Sequence, residues 1–360
     1  MATADLATAA AAPSPTLAAP IRVGIVGATG YVGGELIRLL AAHPGVELVG
    51  LTGRERRGDP VGDVHPHLAT TDLALESELV DDVDAVFLAL PHGTAAQRVP
   101  ELLAHGISII DQGPDFRLRD ASDYPRWYGF EHPHPELLGR AVYGLPELHR
   151  AEHIAAAAAR AAGTPALIGS PGCYPTATVL ALAPLARAGL IEDVVVDAKS
   201  GVSGAGREAK AEMLYAEVNE SVRAYGVFSH RHTAEMEQEL DLDGLDFLPH
   251  LIPMTRGILA ACHIRPTRPL SQAELDELYA AAYTDEPFVT VVDAPPATGH
   301  VLGSNHARVF VRADARTGRV LAIGVIDNLV KGAAGQGVQA FNLVFGLDET
   351  AGLSALPLAP

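Results

Sequence analysis

Apolar and polar positions fall into a regular order only from Ile21 onward. Residues 1–20, MATADLATAAAAPSPTLAAP, show neither a helical nor a strand period. They read as a disordered tail, without the basic start and compact apolar block of a secretion signal. Over 21–51, IRVGIVGATGYVGGELIRLLAAHPGVELVGL, a short apolar run leads through a glycine turn, an amphipathic stretch and a Pro-Gly break to a second apolar run. That order is strand, turn, helix, strand: a β-α-β unit. A third strand is predicted over 83–91 (VDAVFLALP), a helix over 93–106 (GTAAQRVPELLAHG) and a fourth strand over 107–113 (ISIIDQG). Apolar runs alternating with helical stretches imply a parallel sheet covered on both faces.

The stretch 114–147 is rich in Pro and aromatic residues and has no period. An alanine-rich helical segment (151–163) follows, then a buried-strand pattern, PALIGS (165–170). The turn GSPGCYPT (169–176) leads into an apolar helix predicted over 175–188. Segments 192–206, 246–266, 287–295 and 306–328 contain strands of antiparallel type, with a hairpin turned by DARTGR at 314–319. The chain therefore divides into a tail (1–20), a doubly wound parallel unit (21–165), an α+β unit (166–327), a helix returning to the first unit (328–346) and a C-terminal tail (347–360). No period of about 20–50 residues recurs, which argues against a repeat array.

Composition agrees with two domains of ordinary size: 360 residues, 48% hydrophobic, mean hydropathy +0.16. No uninterrupted apolar run approaches the ~20 residues of a membrane span, so no membrane role is expected and the protein is placed in the cytoplasm. A formal net charge of −18 without a basic run argues against nucleic-acid partners. With Cys173 and Cys262 as the only cysteines and no Cys-x-x-Cys, neither a disulfide framework nor a cysteine zinc cage is available. His-x-His pairs at 65/67, 132/134 and 230/232 lack a HExxH motif or cysteine partners, so no metal is expected.

Two features carry chemistry. Gly27, Gly30 and Gly33 form G-x-x-G-x-x-G between a strand and a helix, a variant of the dinucleotide fingerprint. Backbone N–H groups there must approach a pyrophosphate, which a Cβ would block. This makes the first unit a Rossmann domain. The second strand ends in LTGRERRG; Arg54, with Arg56 and Arg57 nearby, stands where an NAD-preferring domain places an acidic residue. A guanidinium there suits a 2′-phosphate and hence NADP(H).

The second feature is Cys173, just before Pro175. Pro favours the first helical position, which would put the sulfur at a helix N-terminus, where unpaired N–H groups and the macrodipole favour a thiolate nucleophile. Cys262, in GILAACHI, reads as a small core residue. A proton-transfer partner must come from 15 histidines, among which His230 and His232 stand out in FSHRHTAEMEQEL. A nicotinamide site with an activated cysteine describes an acylating aldehyde dehydrogenase: the thiolate takes an activated acyl group, and hydride reduces the thioester.

The segments GATGYVGGEL, YGLPEL, SPGCYPTA, SGVSGAGR, HRHTAE and DNLVKGAAGQGVQA together resemble the N-acetyl-γ-glutamyl-phosphate reductase family of arginine biosynthesis, within the aspartate-semialdehyde dehydrogenase superfamily, over about residues 21–346. The resemblance implies a Rossmann domain followed by an α+β catalytic and oligomerisation domain, assembled as a dimer or tetramer. It implies Cys173 as nucleophile and His232 as acid/base, with Arg207 and Arg231 for the carboxylate or phosphate of a small acyl phosphate substrate. Gly27, Thr29, Gly30, Tyr31 and Val32 would line the pyrophosphate; Asn328 would reach the nicotinamide amide, with Ser200 and Gly201 near the ring. This chain departs from the family pattern at Ser170 (commonly Asn), Ala234 (Pro) and Gly337 (Ala). Alternatives are an aspartate-semialdehyde dehydrogenase, a reductase of carrier-linked acyl phosphates, and, outside enzymes, an NADP-binding redox regulator.

Overall fold

The computed structural model describes residues 19–53, 56–79 and 82–358. Their strands form two sheets. The first joins β1 (Ile21–Val26), β2 (Val46–Thr52), β3 (Ala85–Leu88), β4 (Ser108–Asp111), β5 (Val142–Tyr143) and β6 (Leu167–Gly169) in the order β2-β1-β3-β4-β6-β5, every neighbour parallel. β3 and β4 are buried throughout, which is why their sequences read as unbroken apolar runs. The expected boundary at 165/166 precedes β6, yet β6 pairs between β4 and β5, so the first sheet extends to Gly169.

The strand order reverses beside β1, and a crevice opens beyond the carboxyl ends of β1, β3 and β4. Gly27 leaves β1 with φ +90°, and a Cβ there would lie 2.2 Å from the Ala89 carbonyl oxygen; only glycine closes this turn. The first helix, Tyr31–Leu40, then packs Leu36, Ile37 and Leu40 into the core.

The second sheet joins β7 (Ile191–Gly201), β8 (Arg223–Ala224), β9 (Asp246–Ile252), β10 (Ile258–Pro266), β11 (Val289–Val291), β12 (Ala307–Asp314) and β13 (Arg319–Ile326) in the order β11-β12-β13-β10-β7-β9-β8. The β12–β13 hairpin turns at the expected place. The sheet is mixed rather than antiparallel throughout: β7–β9 and β11–β12 are parallel. The long excursion from 202 to 245 returns β9 alongside β7, a reversal that strand composition does not encode.

The cysteine helix, Cys173–Arg187, lies on this sheet, beginning two residues before the predicted start, so Pro175 sits inside its first turn. Gly324 of β13 lets it approach: a Cβ there would fall 2.1 Å from the Ala177 carbonyl oxygen. Pro184 within the helix has no N–H for the Leu180 carbonyl. The Tyr283 hydroxyl, from the helix Gln272–Tyr283, donates to that carbonyl at 2.6 Å. Cys262 is a fully buried core residue.

The last helix, Gly335–Val344, entered through a π-helical turn at Val330–Ala334, packs Val338, Phe341 and Val344 into the same core as β1 and β3. The chain end thus covers the first sheet. Among the described residues no helix is long and apolar enough to cross a membrane.

Replacing Tyr283 by Phe should orphan the Leu180 carbonyl and cost about 1–3 kcal/mol, read as a lower denaturation midpoint; an unchanged midpoint would show that the bond contributes nothing.

Candidate active site

Between the two sheets lies a cleft of about 410 Å³. Gly30–Gly33 form one wall, Cys173 and His232 another, and Asn328, Leu329, Gly332 and Ala333 a third. A wider groove of about 650 Å³ under the C-terminal residues Ala355–Leu358 contains neither the cysteine nor the histidine.

The cysteine turn is held by two buried charges of opposite sign. Arg117 donates from Nε to the Ser170 carbonyl (2.6 Å) and from Nη2 to the Gln112 carbonyl (2.9 Å), clasping the ends of β6 and β4. Glu235, fully buried, accepts at Oε1 from the Gly172 amide (2.7 Å) and the Tyr143 hydroxyl (2.7 Å). The two side chains lie 3.7 Å apart. Burial raises the Glu235 carboxyl above its ordinary range while the Arg117 guanidinium draws it down. The peptide from Ser170 to Cys173 is therefore gripped at both ends.

Cys173 is the first residue of its helix and partly exposed to the cleft. Burial pushes its thiol up to about 11, against the pull of Arg117 and of its own and the Tyr174 amides. Helix-end stabilisation is present, but desolvation outweighs it, so the substrate-free site favours the neutral thiol over the thiolate expected from sequence. His232 packs onto Gly172, where a Cβ would lie 2.5 Å from Nε2. Burial, then the neighbouring His230 and the charges of Arg117 and Arg231, push its imidazole well below the usual range, so it rests neutral with a lone pair available. His230 receives the His232 amide on Nδ1 (3.2 Å) and is itself pushed down to about 4 by burial. The other His-x-His pairs are similarly occupied by backbone: His65 meets the Ala28 carbonyl and His132 that of Asp115, each at 2.8 Å.

The semialdehyde dehydrogenase NAD binding domain matches residues 22–157, and the semialdehyde dehydrogenase dimerisation domain matches 173–328. The N-acetyl-γ-glutamyl-phosphate reductase of Desulforudis audaxviator is 51% identical, covering 92% of this chain and 98% of its own. That of Dehalococcoides mccartyi is 46% identical, covering 94% and 99%. The chain belongs to the N-acetyl-γ-glutamyl-phosphate reductase family. Among solved structures, aspartate semialdehyde dehydrogenase II of Vibrio cholerae, complexed with ASA, shares the fold at a TM-score of 0.67 and 19% identity, covering 90% of this chain and 98% of its own. The NADP complex of the Candida albicans aspartate semialdehyde dehydrogenase matches at 0.66 and 16%, covering 91% and 98%.

The dinucleotide cradle fits this assignment. The first helix closes its first internal bond from the Gly34 amide to the Gly30 carbonyl (2.9 Å), leaving the amides of Tyr31, Val32 and Gly33 without a helical partner. No acidic side chain occupies that first turn, and a Cβ at Gly33 would strike the Gly27 carbonyl oxygen at 2.4 Å. Three unpaired donors at a helix start, beside a turn that excludes side chains, suit a pyrophosphate.

The remaining candidates divide. Arg231 is exposed in the cleft and hydrogen-bonds to His92 Nδ1 (3.1 Å). Asn328 lines the cleft, but its Oδ1 accepts from the Gly257 amide (2.7 Å) and its Nδ2 donates to Ser203 (2.9 Å). Ser200 is buried, donating to the Gly201 carbonyl (3.0 Å), and Gly201 gives its amide to the Gly257 carbonyl (2.9 Å); neither lines the cleft. Arg207 lines it with its guanidinium bound to backbone of the first unit, including the Thr29 carbonyl. Arg54 lies outside the described residues; Arg56 pairs with Asp59 and Arg57 is exposed. Sequence reasoning missed Arg117 and Glu235. Arg117 sits in the aperiodic stretch, while Glu235 follows His232 by three residues on one helix, a spacing that places both on one face.

Alkylation of Cys173 by iodoacetamide in the substrate-free protein should accelerate about tenfold per pH unit from 7 to about 10, since thiolate forms only as pH approaches a raised pKa. A plateau below pH 8 would show a thiolate already stable at rest; Cys173→Ser is the control.

Proposed function

We propose that this chain reduces N-acetyl-γ-glutamyl phosphate to N-acetylglutamate semialdehyde and phosphate through a thioester on Cys173. NADPH, when bound, supplies the hydride. The observation that carries the reading is Cys173 at the start of its helix, in a cleft shared by the dinucleotide cradle and a neutral His232.

As the sulfur attacks the acyl carbon, its proton passes to His232, the carbon–oxygen bond to phosphate breaks, and phosphate leaves. Arg231 is the cation available to the departing anion or the substrate carboxylate. The helix forms its first internal bond from the Thr176 amide to the Gly172 carbonyl, and Pro175 has no N–H, so the Cys173 and Tyr174 amides remain as donors to the developing oxyanion. After hydride reaches the thioester carbon, the carbon–sulfur bond breaks and His232 returns the proton to sulfur. Arg57, exposed five residues after the end of β2, is a cation available to a 2′-phosphate. Aspartate semialdehyde remains the competing substrate, because the fold is shared with its dehydrogenases. Cytoplasmic location and a homo-oligomer built through residues 173–328 complete the reading.

In the reverse direction, with NADP and phosphate, N-acetylglutamate semialdehyde should be turned over and aspartate semialdehyde should not; the opposite preference would overturn the substrate assignment. Cys173→Ser should abolish turnover while NADPH still binds. His232→Asn should lower kcat by about 10²–10⁴, and a kcat unchanged across pH would remove His232 from proton transfer.

A further inference from the structure

Arg207 belongs to the second unit, yet its guanidinium is docked on the first. Nη1 donates to the Thr29 carbonyl (3.0 Å), inside the glycine turn, and Nη2 to the Val64 carbonyl (2.8 Å), at the end of the short helix Val61–Val64. These two acceptors are already tied within the first unit. His65, next to Val64, meets the Ala28 carbonyl at 2.8 Å, and its ring lies against Gly34, where a Cβ would sit 2.7 Å from it. Among the described residues, Arg207 is the only one from the second unit hydrogen-bonded to the glycine turn.

Among the described residues its surroundings give it no other anchorage. Gly206 precedes it at φ +86°, and no residue from 208 to 222 is buried. On the other side, Ser203, Gly204 and Gly206 line the cleft, with Ser203 held by Asn328. The two carbonyl bonds thus fasten a cleft wall of the second unit to the turn of the first. Among the described residues two of the guanidinium's five donors are used, both on neutral carbonyls that do not offset its charge.

We propose that Arg207 is an interdomain latch and a positioning residue for the dinucleotide half of the cleft, not a ligand of the acyl phosphate. This rests on the reading that the glycine turn receives NADPH. The Nη1 bond fixes the Thr29 carbonyl, and with it the turn that presents the Tyr31–Gly33 amides. The Nη2 bond fixes the turn's neighbour, so both must hold for the wall to stay closed. Because coupling is reciprocal, cofactor held at the turn in its turn holds the 203–207 wall beside Cys173.

The test compares Arg207→Gln and Arg207→Lys. NADPH affinity is read without substrate, from cofactor fluorescence, and KM values for NADP, N-acetylglutamate semialdehyde and phosphate are read in the reverse direction. Both variants should bind NADPH about tenfold more weakly, with KM for semialdehyde and phosphate changed less than twofold. Lysine should not rescue, because one ammonium cannot span two carbonyls set for a fork. A KM increase confined to semialdehyde or phosphate would make Arg207 a substrate ligand and overturn the latch, as would a lysine variant that behaves like the parent. Should the glutamine variant fail to fold, the lysine variant decides alone. The fluorescence reading needs no turnover, so a parent protein inactive on the acetylated substrate would sink the functional proposal without touching this one.

Discussion

Everything chemical in this protein depends on four residues of backbone, Ser170 to Cys173, staying where the Arg117–Glu235 pair holds them. Arg117 clasps the Ser170 carbonyl and Glu235 the Gly172 amide, and each charge is the other's partner. Removing one member of such a buried pair costs about 3–5 kcal/mol, because the remaining charge is left desolvated. The pair also draws separate elements together. Glu235 rides on the helix that begins with His232, and the same helix returns through Gln238, which donates to the Arg117 carbonyl at 3.0 Å. Cys173 and His232, the proposed nucleophile and base, are therefore positioned by one network, which explains how residues 59 positions apart share a wall of the cleft.

The burial that makes this grip strong also sets the resting protonation state. A charge-separated thiolate–imidazolium pair would have to form in a site that disfavours both charges, so cysteine and histidine wait as neutral partners. The helix N-terminus then matters most as a source of two amides for charge that develops during attack. This is preorganisation for the transition state, without stored charge in the ground state.

The end of the chain closes the site from below. Lys331, fully buried, pairs with Glu147 and donates to Gln339 Oε1 (2.6 Å), fastening the π-helical turn to the helix Pro146–Ala161 of the first unit. That turn carries Gly332 beneath the cysteine, where a Cβ would lie 2.8 Å from the Cys173 Cβ. Another glycine has a similar task. A Cβ at Gly337 would fall 1.9 Å from Gln112 Nε2, whose hydrogen bond goes to Ser170 Oγ. Ser170 and Gly337 thus meet the same glutamine.

The sequence by itself determined what local period and local turn chemistry determine: an α/β unit followed by an α+β unit, the parallel sheet, the dinucleotide turn, the hairpin at 314–319, the cysteine at a helix start and the histidine motif. Each is written in contiguous residues, through glycine's conformational freedom, the absence of an N–H on proline, or the period of apolar positions. Tertiary structure decided the rest. Only the sheet order assigns β6 to the first sheet and sets β9 parallel to β7, because pairing depends on chain reversals that composition does not mark. Only packing shows that desolvation outweighs the helix end at Cys173, that Asn328 is tied to Ser203 and the Gly257 amide while Arg207 donates to backbone, and that an arginine from an aperiodic stretch meets a glutamate from a helix 118 residues later. Long-range electrostatics and burial are properties of juxtaposition, and juxtaposition exists only once the chain has folded.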